Sequence, residues 1–323
     1  MAVRIGFIGC GGIANAHMSS LATLKDAEMV AFYDIVEEKA KAAVEKYGGK
    51  PYKGHVEMLD TAKLDAVYIC LPPHAHLDQE VMAAERGVAF LVEKPIARTM
   101  EKAREIEAAV NKAGIITAVG YHWRYYDTTD MARCFLADKT IGMVLGYWMG
   151  GLPGVHWWRV YEESGGQLHE QTTHIFDLAR YLCGEMKTVY AQTALRALSH
   201  VEDLNVPDVG TVAIEFESGA VGTISNVCLL QMGYTVGLHI VCPDAVVETS
   251  GGHLTVRTKD GVRNIDSLTN ASLEANRTFV AAVRSNDGAR IRSPYSDAVK
   301  STACSLAALK SAETGQPVQV ADV

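Results

Sequence analysis

The chain has 323 residues, more than the ~250–300 that a single hydrophobic core usually organises, so two domains are expected. Hydrophobic residues make up 48% and charged residues 21%, a balance that excludes a disordered or fibrous chain. A formal charge of −8 argues against a nucleic-acid or anionic-membrane surface, and no apolar run reaches the ~20 residues of a membrane span, which leaves a small molecule as the expected partner.

Residues 3–9 (Val-Arg-Ile-Gly-Phe-Ile-Gly) form an apolar run of strand length, followed by a glycine-rich turn and a helical stretch from Ile13 to Leu24. Because the chain enters this strand without a basic leader or a small-residue cleavage site, a cytoplasmic location is expected. A second apolar run, Glu28 to Tyr33, ends at Asp34 and gives way to a charged helical pattern over Val36 to Tyr47, closed by Gly48-Gly49. Residues 65–71 form a third strand that stops at Pro72-Pro73, and a helix is predicted over 75–86. Strands at 88–92 and 115–121 flank a helix from Met100 to Ala113. This alternation predicts a doubly wound parallel sheet of Rossmann type over residues 1–121.

Strand-like runs then follow at 146–151, 188–195, 209–216, 220–228, 236–242, 245–249 and 254–258, with few helices between them. They predict an α+β domain with a large open, mostly antiparallel sheet over residues 122–323. Helices are expected near 172–182, 270–285 and 296–314. The seven cysteines include no Cys-x-x-Cys pair and read as buried thiols in a reducing compartment.

Gly9-Cys10-Gly11-Gly12-Ile13-Ala14 fits G-x-G-x-x-[G/A] and lies between a predicted strand and a predicted helix, the context a dinucleotide fingerprint requires. Gly9 permits the tight turn, Gly11 lets the backbone approach a pyrophosphate, and Ala14 allows the helix to pack closely. The helix start offers unpaired N–H groups to the phosphates. Asp34, twenty residues past Ala14, can accept hydrogen bonds from the adenosine ribose. Its charge would repel a 2′-phosphate, and Ile35, Val36, Glu37 and Glu38 offer no compensating cation, so NAD is favoured over NADP.

In an open α/β sheet, ligands lie outside the carboxyl ends of the strands. Three such ends carry chemistry: Leu71-Pro72-Pro73-His74-Ala75-His76, Glu93-Lys94-Pro95, and Tyr121-His122-Trp123-Arg124-Tyr125. Lys94 is a candidate to stabilise developing alkoxide charge. Further on, Glu170 and His174 are four residues apart, so on a continuous helix they would share a face, with the carboxylate orienting a proton-accepting imidazole. His169, Glu170 and His174 do not match a zinc helix, because the second histidine comes one residue late; no metal is expected. On spacing alone, a surface lysine and a core histidine remain open readings.

Taken together, these residues resemble the glucose-fructose oxidoreductase, inositol dehydrogenase and rhizopine-catabolism family (Gfo/Idh/MocA). The resemblance runs from Val3 to about Val320 through the fingerprint, Asp34, Pro72 to His76, Glu93-Lys94-Pro95, the Gly165-Gly166-Gln167-Leu168 segment with its downstream His174 and Asp177, and the closing Ala-Leu-Lys-Ser-Ala-Glu-Thr-Gly-Gln-Pro-Val. It implies oxidation of a secondary hydroxyl on a sugar, polyol or glycoside, with hydride passing to the nicotinamide of a cofactor held by Gly9, Gly11, Gly12, Ile13, Ala14, Asp34, Leu71, Pro72, His76, Glu93 and Lys94. It also implies that Lys94 contacts the reacting hydroxyl, that His174 takes its proton, and that the second sheet often forms an oligomer interface. Glu170 stands where the family commonly has Asp, and Thr172 where it has Gly. Tyr121, Trp123, Arg124, Trp157 and Trp158 are candidates to line the substrate site; core packing accounts for the tryptophans equally well. Two other outcomes fit the same residues: an NAD-assisted glycosidase working by transient oxidation and elimination, and a dinucleotide-binding sensor without turnover.

Overall fold

The computed structural model describes residues 1–323. In the first part of the chain, β1 (Val3–Ile8), β2 (Ala27–Tyr33), β3 (Lys50–Pro51), β4 (Ala66–Ile69), β5 (Ala89–Val92) and β6 (Thr117–Val119) alternate with α1 (Gly12–Leu21), α2 (Glu37–Tyr47), α3 (His55–Thr61), α4 (Gln79–Glu85) and α5 (Met100–Ala113). β4 and β5 are buried at every position, as strands covered by helices on both faces must be. The six strands pair in parallel in the order β3-β2-β1-β4-β5-β6. Winding reverses between β1 and β4, so the carboxyl ends of these strands open a crevice.

Two local differences from the sequence reading have simple causes. The helix predicted over 75–86 is interrupted: Pro73–Ala75 makes one 3₁₀ turn, His76 is extended, and α4 starts only at Gln79. Paired prolines supply no N–H donors and fix an extended entry. β3 and α3 fall in a stretch that showed no periodicity, being too short to display any.

The second part begins with α6 (Asp127–Leu136) and β7 (Met143–Met149), followed by three single-turn helices, α7 (His156–Arg159), α8 (Tyr161–Ser164) and α9 (Gly166–Glu170), and by α10 (Thr173–Cys183). β8 (Met186–Ala194), β9 (Val209–Phe216), β10 (Val221–Val227), β11 (Val236–Cys242), β12 (Ala245–Ser250), β13 (His253–Thr258) and β14 (Gly261–Asp266) follow in succession. The chain closes with α11 (Ala271–Ser285), α12 (Tyr295–Thr314) and β15 (Val318–Gln319). Nine strands form one sheet in the order β14-β13-β12-β11-β7-β10-β9-β8-β15, antiparallel except for the β7–β10 pair. Its inner face, including Val144, Ile224, Ile240 and Val247, packs with Ile175, Phe176 and Leu178 of α10. Gly146 permits this closeness, since a Cβ there would stand 2.7 Å from both Ile175 and Ile224. On the opposite face Met143, Tyr190 and Val221 are exposed.

The chain divides into two compact units, one of residues 1–97, 101–122 and 271–299, the other of residues 98–100, 123–270 and 300–323. The sequence reading placed all of 122–323 together; instead α11 belongs with the first unit, where Phe279 and Val280 join the cluster of Met18 and Tyr68. No helix is long and apolar enough to cross a membrane.

Candidate active site

In the first unit, the chain leaves β1 through Gly9, whose φ of +86° and close approach to the Cys70 carbonyl exclude a side chain. At Gly11 and Gly12, by contrast, a Cβ would meet nothing within 4 Å. Helix α1 has no side-chain cap and no acid in its first turn. The amides of Gly12, Ile13 and Ala14 precede its first internal bond, Asn15 N–H to the Gly11 carbonyl at 3.0 Å, and form the positive end to which an anion binds. Asp34 is fixed beside them, with Oδ2 accepting the Cys10 N–H and Oδ1 the Val36 N–H, both at 2.8 Å. An open glycine edge, an uncapped helix start and a fixed carboxylate fit the pyrophosphate and ribose of a dinucleotide. Lys39, in the first turn of α2, acts electrostatically on Cys10 and is a cation that the run from Ile35 to Glu38 did not reveal.

After β5, Glu93 is buried and accepts hydrogen bonds from His17 Nε2 at 2.9 Å and from the Lys94 N–H at 3.2 Å. Gly120 lies against this carboxylate so closely that a Cβ would collide with it. Burial pushes the Glu93 carboxyl up, but the hydrogen bond and charge of His17, with Lys94 and His122, outweigh it and hold the group below its ordinary range. Burial pushes the His122 imidazole down against the opposing pull of Glu93. Lys94 itself is half-buried, and its bond to Pro95 is cis.

Leu71 and Pro72 are half-buried at the crevice, Leu71 beside Gly9. His76, expected to touch the cofactor, is instead buried with Nδ1 2.5 Å from Glu80 Oε1, because the extended residue before α4 turns its ring onto the helix. Tyr121, expected to line the substrate site, is fully buried. Burial raises the thiols of Cys10, Cys70, Cys183, Cys228, Cys242 and Cys304, so none is a ready thiolate nucleophile.

In the second unit, His174 occupies the first turn of α10 and forms a near-parallel cluster with Trp123 and Trp148, the three ring centroids lying 5.5–5.8 Å apart. Trp148, at the inward end of β7, was not singled out from the sequence. The continuous helix assumed for Glu170 and His174 is interrupted: α9 ends at Glu170 and α10 starts at Thr173. Glu170 Oε2 accepts the indole N–H of Trp158 at 2.8 Å. Trp158 is therefore a core residue, and Trp157 packs partly buried beside it.

Arg124, expected to face substrate, is 2% exposed and bound on both Asp177 oxygens, at 2.6 and 2.8 Å. A guanidinium cannot be buried without such a partner, and Asp177 lies three residues beyond His174 on α10. Ser301 also donates to Asp177, at 2.6 Å, and receives Arg180 at 2.7 Å, while Arg180 grips Glu185. This network anchors the helix that carries His174. His17 and its partner Asn276 were also missed, being 259 residues apart, although a histidine on the stripe of Ala14, Met18 and Leu21 is a visible polar intrusion into a core.

Residues 3–121 match the oxidoreductase family with an NAD-binding Rossmann fold, GFO_IDH_MocA, and residues 130–248 match the GFO/IDH/MocA C-terminal domain. The chain belongs to the Gfo/Idh/MocA oxidoreductase family. As a Gfo/Idh/MocA protein it is an NAD(P)-dependent oxidoreductase acting on CH–OH groups. It is 25% identical to myo-inositol 2-dehydrogenase of Thermotoga maritima, with 99% of each chain covered. It is 27% identical to inositol 2-dehydrogenase of Rhizobium meliloti over 99% of this chain and 100% of that one. The fold superposes on levoglucosan dehydrogenase in complex with NADH and levoglucosan with a TM-score of 0.90, at 20% identity over 99% of this chain and 100% of the other.

Proposed function

We propose that the protein is an NAD-dependent dehydrogenase that oxidises a secondary hydroxyl of a sugar or polyol, with cyclic polyols of the inositol type as the first candidates. The observation that carries this reading is His174 in its stack with Trp123 and Trp148. A proton acceptor is set there among flat apolar rings of the kind that pack on sugar C–H surfaces. The full-length similarity to two inositol dehydrogenases supports the substrate class.

Bound at the Gly9–Ala14 turn, the nicotinamide dinucleotide supplies the hydride acceptor. Lys94 donates a hydrogen bond to the substrate hydroxyl oxygen and stabilises the charge that develops on it. His174 accepts the hydroxyl proton as the C–H bond breaks. Glu170 acts through Trp158, whose indole it holds, and Arg124 acts through Asp177. Asp34 favours NAD by accepting ribose hydroxyls and repelling a 2′-phosphate. The exposed face of the nine-stranded sheet, with Met143, Tyr190 and Val221, is the surface on which a homo-oligomer would assemble.

The test is nicotinamide absorbance during incubation with NAD or NADP and a panel of myo-inositol, scyllo-inositol, glucose, D-glucosides and levoglucosan. Reduction of NAD by one stereochemical class supports the reading. Glycoside cleavage without net reduced cofactor would replace it with the NAD-assisted glycosidase, and tight NADH binding without any turnover would leave the sensor.

A further inference from the structure

The second unit holds a cavity of about 260 Å³ bounded by α8 and α9, by β8, β9 and β10, and by the last turns of α12. His174, Trp123 and Trp148 do not line it. Two buried carboxamides do, Gln167 and Asn226, each 2% exposed. Their orientation follows from the backbone. Gln167 Nε2 donates to the Val227 carbonyl at 2.9 Å and to Gln171 Oε1 at 3.2 Å, which turns Gln167 Oε1 towards Asn226. Asn226 Nδ2 then donates to that oxygen at 2.7 Å, leaving Asn226 Oδ1 as the last atom of the chain of amides. No group of the protein donates to Asn226 Oδ1. It leans over Gly210 of β9, where a Cβ would stand 2.7 Å from it and 3.3 Å from the Thr193 methyl, and Thr193 lines the same cavity. A buried carbonyl oxygen of this kind is costly unless something in the cavity supplies a donor.

The remaining lining narrows what that donor is. Leu168, Pro207 and Leu309 give apolar walls, and Glu313 is the one charged residue among the lining side chains. Groups at the exposed rim are already spent on each other: Asn205 Oδ1 accepts the Tyr161 N–H at 2.6 Å, Asn205 Nδ2 donates to Glu162 at 3.1 Å, and the Tyr161 hydroxyl donates to Glu313 Oε1 at 3.1 Å. Acceptors are left over and no cation lines the wall, so an anion is disfavoured. A cation would have to shed its water against a neutral amide oxygen. Neutral hydroxyls meet the acceptors without that cost while C–H surface packs on the apolar walls. A volume below the ~300–1,000 Å³ of drug-sized pockets calls for a compact molecule.

We propose that this cavity is a second ligand site, separate from the His174 cluster, for a compact neutral polyhydroxylated molecule of monosaccharide or cyclic-polyol size. Asn226 Oδ1 accepts one of its hydroxyls at the buried end and the Glu313 carboxylate another at the mouth.

Site-resolved alkylation tests this without turnover. Ala312, half-buried in the wall, is replaced in the whole protein (Ala312→Cys), and the rate at which iodoacetamide modifies the introduced thiol is read by mass spectrometry against the exposed Cys134. The probes are myo-inositol and D-glucose, with D-glucuronate as the anionic comparison. Either neutral probe should slow the relative rate at least about tenfold at saturation, with half the effect at about millimolar concentration, as for a small ligand held by few contacts. D-Glucuronate should bind at least about tenfold more weakly. Asn226→Leu in the same background should raise the half-effect concentration about tenfold, the loss of one hydrogen bond. Thermal midpoints and NADH binding by fluorescence establish that each variant is folded. If Ala312→Cys does not fold or its thiol does not react, Thr193→Cys takes its place; if Asn226→Leu does not fold, the comparison of neutral with anionic probes decides alone. No protection by either neutral probe at ~10 mM, equal protection by D-glucuronate, or a half-effect concentration unchanged by Asn226→Leu overturns the proposal.

Discussion

The indole N–H of Trp158 donates to Glu170 Oε2 at 2.8 Å, linking α7 to the residue that ends α9. The three single-turn helices of this segment have too few internal hydrogen bonds to be stable alone, so a buried bond between two of them does much to fix their arrangement. Trp158→Phe preserves most of the buried area but removes one donor from a buried carboxylate. It should lower unfolding stability by about 1–3 kcal/mol, read as a shift in the urea midpoint at unchanged slope.

Gly9 and Gly11 should separate stability from cofactor binding. Gly9→Ala forces a Cβ against the Cys70 carbonyl at a φ of +86° and should destabilise by roughly 1–3 kcal/mol. Gly11→Ala fills open space and should leave the melting temperature nearly unchanged while weakening NADH binding at least about tenfold, a loss of ~1.4 kcal/mol. Calorimetry and fluorescence titration on the two variants check the pair.

On the NAD-dependent reading proposed above, Asp34 sets the nucleotide preference. Asp34→Ser removes this carboxylate and leaves Lys39, in the first turn of α2, as the cation on this side of the turn. The ratio of kcat/KM for NADP to that for NAD should rise about tenfold or more, as for one ionic contact of ~1.4 kcal/mol. An unchanged ratio would show that another group reads the ribose.

Breaking the Arg124–Asp177 pair should be costly. Both side chains are 3% exposed, and removing one partner leaves the other charge buried, a penalty of about 3–5 kcal/mol. Arg124→Met should therefore sharply lower the denaturant midpoint. It should also weaken kcat through α10, without the uniform rise in KM expected of a residue that binds substrate directly.

Much of the first unit was legible in the sequence because its signals are local. Apolar strands end at glycine or proline, and the fingerprint with Asp34 lies within one βαβ segment. Strands β8–β13 were legible for a similar reason, each being an apolar run of strand length, but their order, with β7 inserted between β11 and β10, was not. What escaped were elements of one or two turns, such as α3 and α7–α9, which carry too few residues to show a period. Pairings set by tertiary structure also escaped. His17 meets Glu93 from 76 residues away and Arg124 meets Asp177 from 53 away, so Arg124 read as a substrate-facing residue although it is buried against Asp177.

Acid should reveal the Glu93 ion pair. Its carboxyl is held below the ordinary 4.5 in the folded state, so its contribution to stability is complete above that value and is lost as pH falls through the depressed folded value. Glu93→Gln should be less stable than the parent at neutral pH and should lose less stability below pH 4.5. Parallel urea titrations across the acid range give the comparison.

The roles proposed for Lys94 and His174, in the chemical step and not in cofactor binding, call for kcat and NADH affinity measured side by side in the parent, Lys94→Met and His174→Ala with the best cyclic polyol or sugar. If both serve the chemistry, kcat falls about a hundredfold or more in each variant, as for loss of a general acid–base group, while NADH affinity stays within a few-fold of the parent. Turnover near the parental rate in either variant, or loss of NADH binding equal to the loss of turnover, would contradict it.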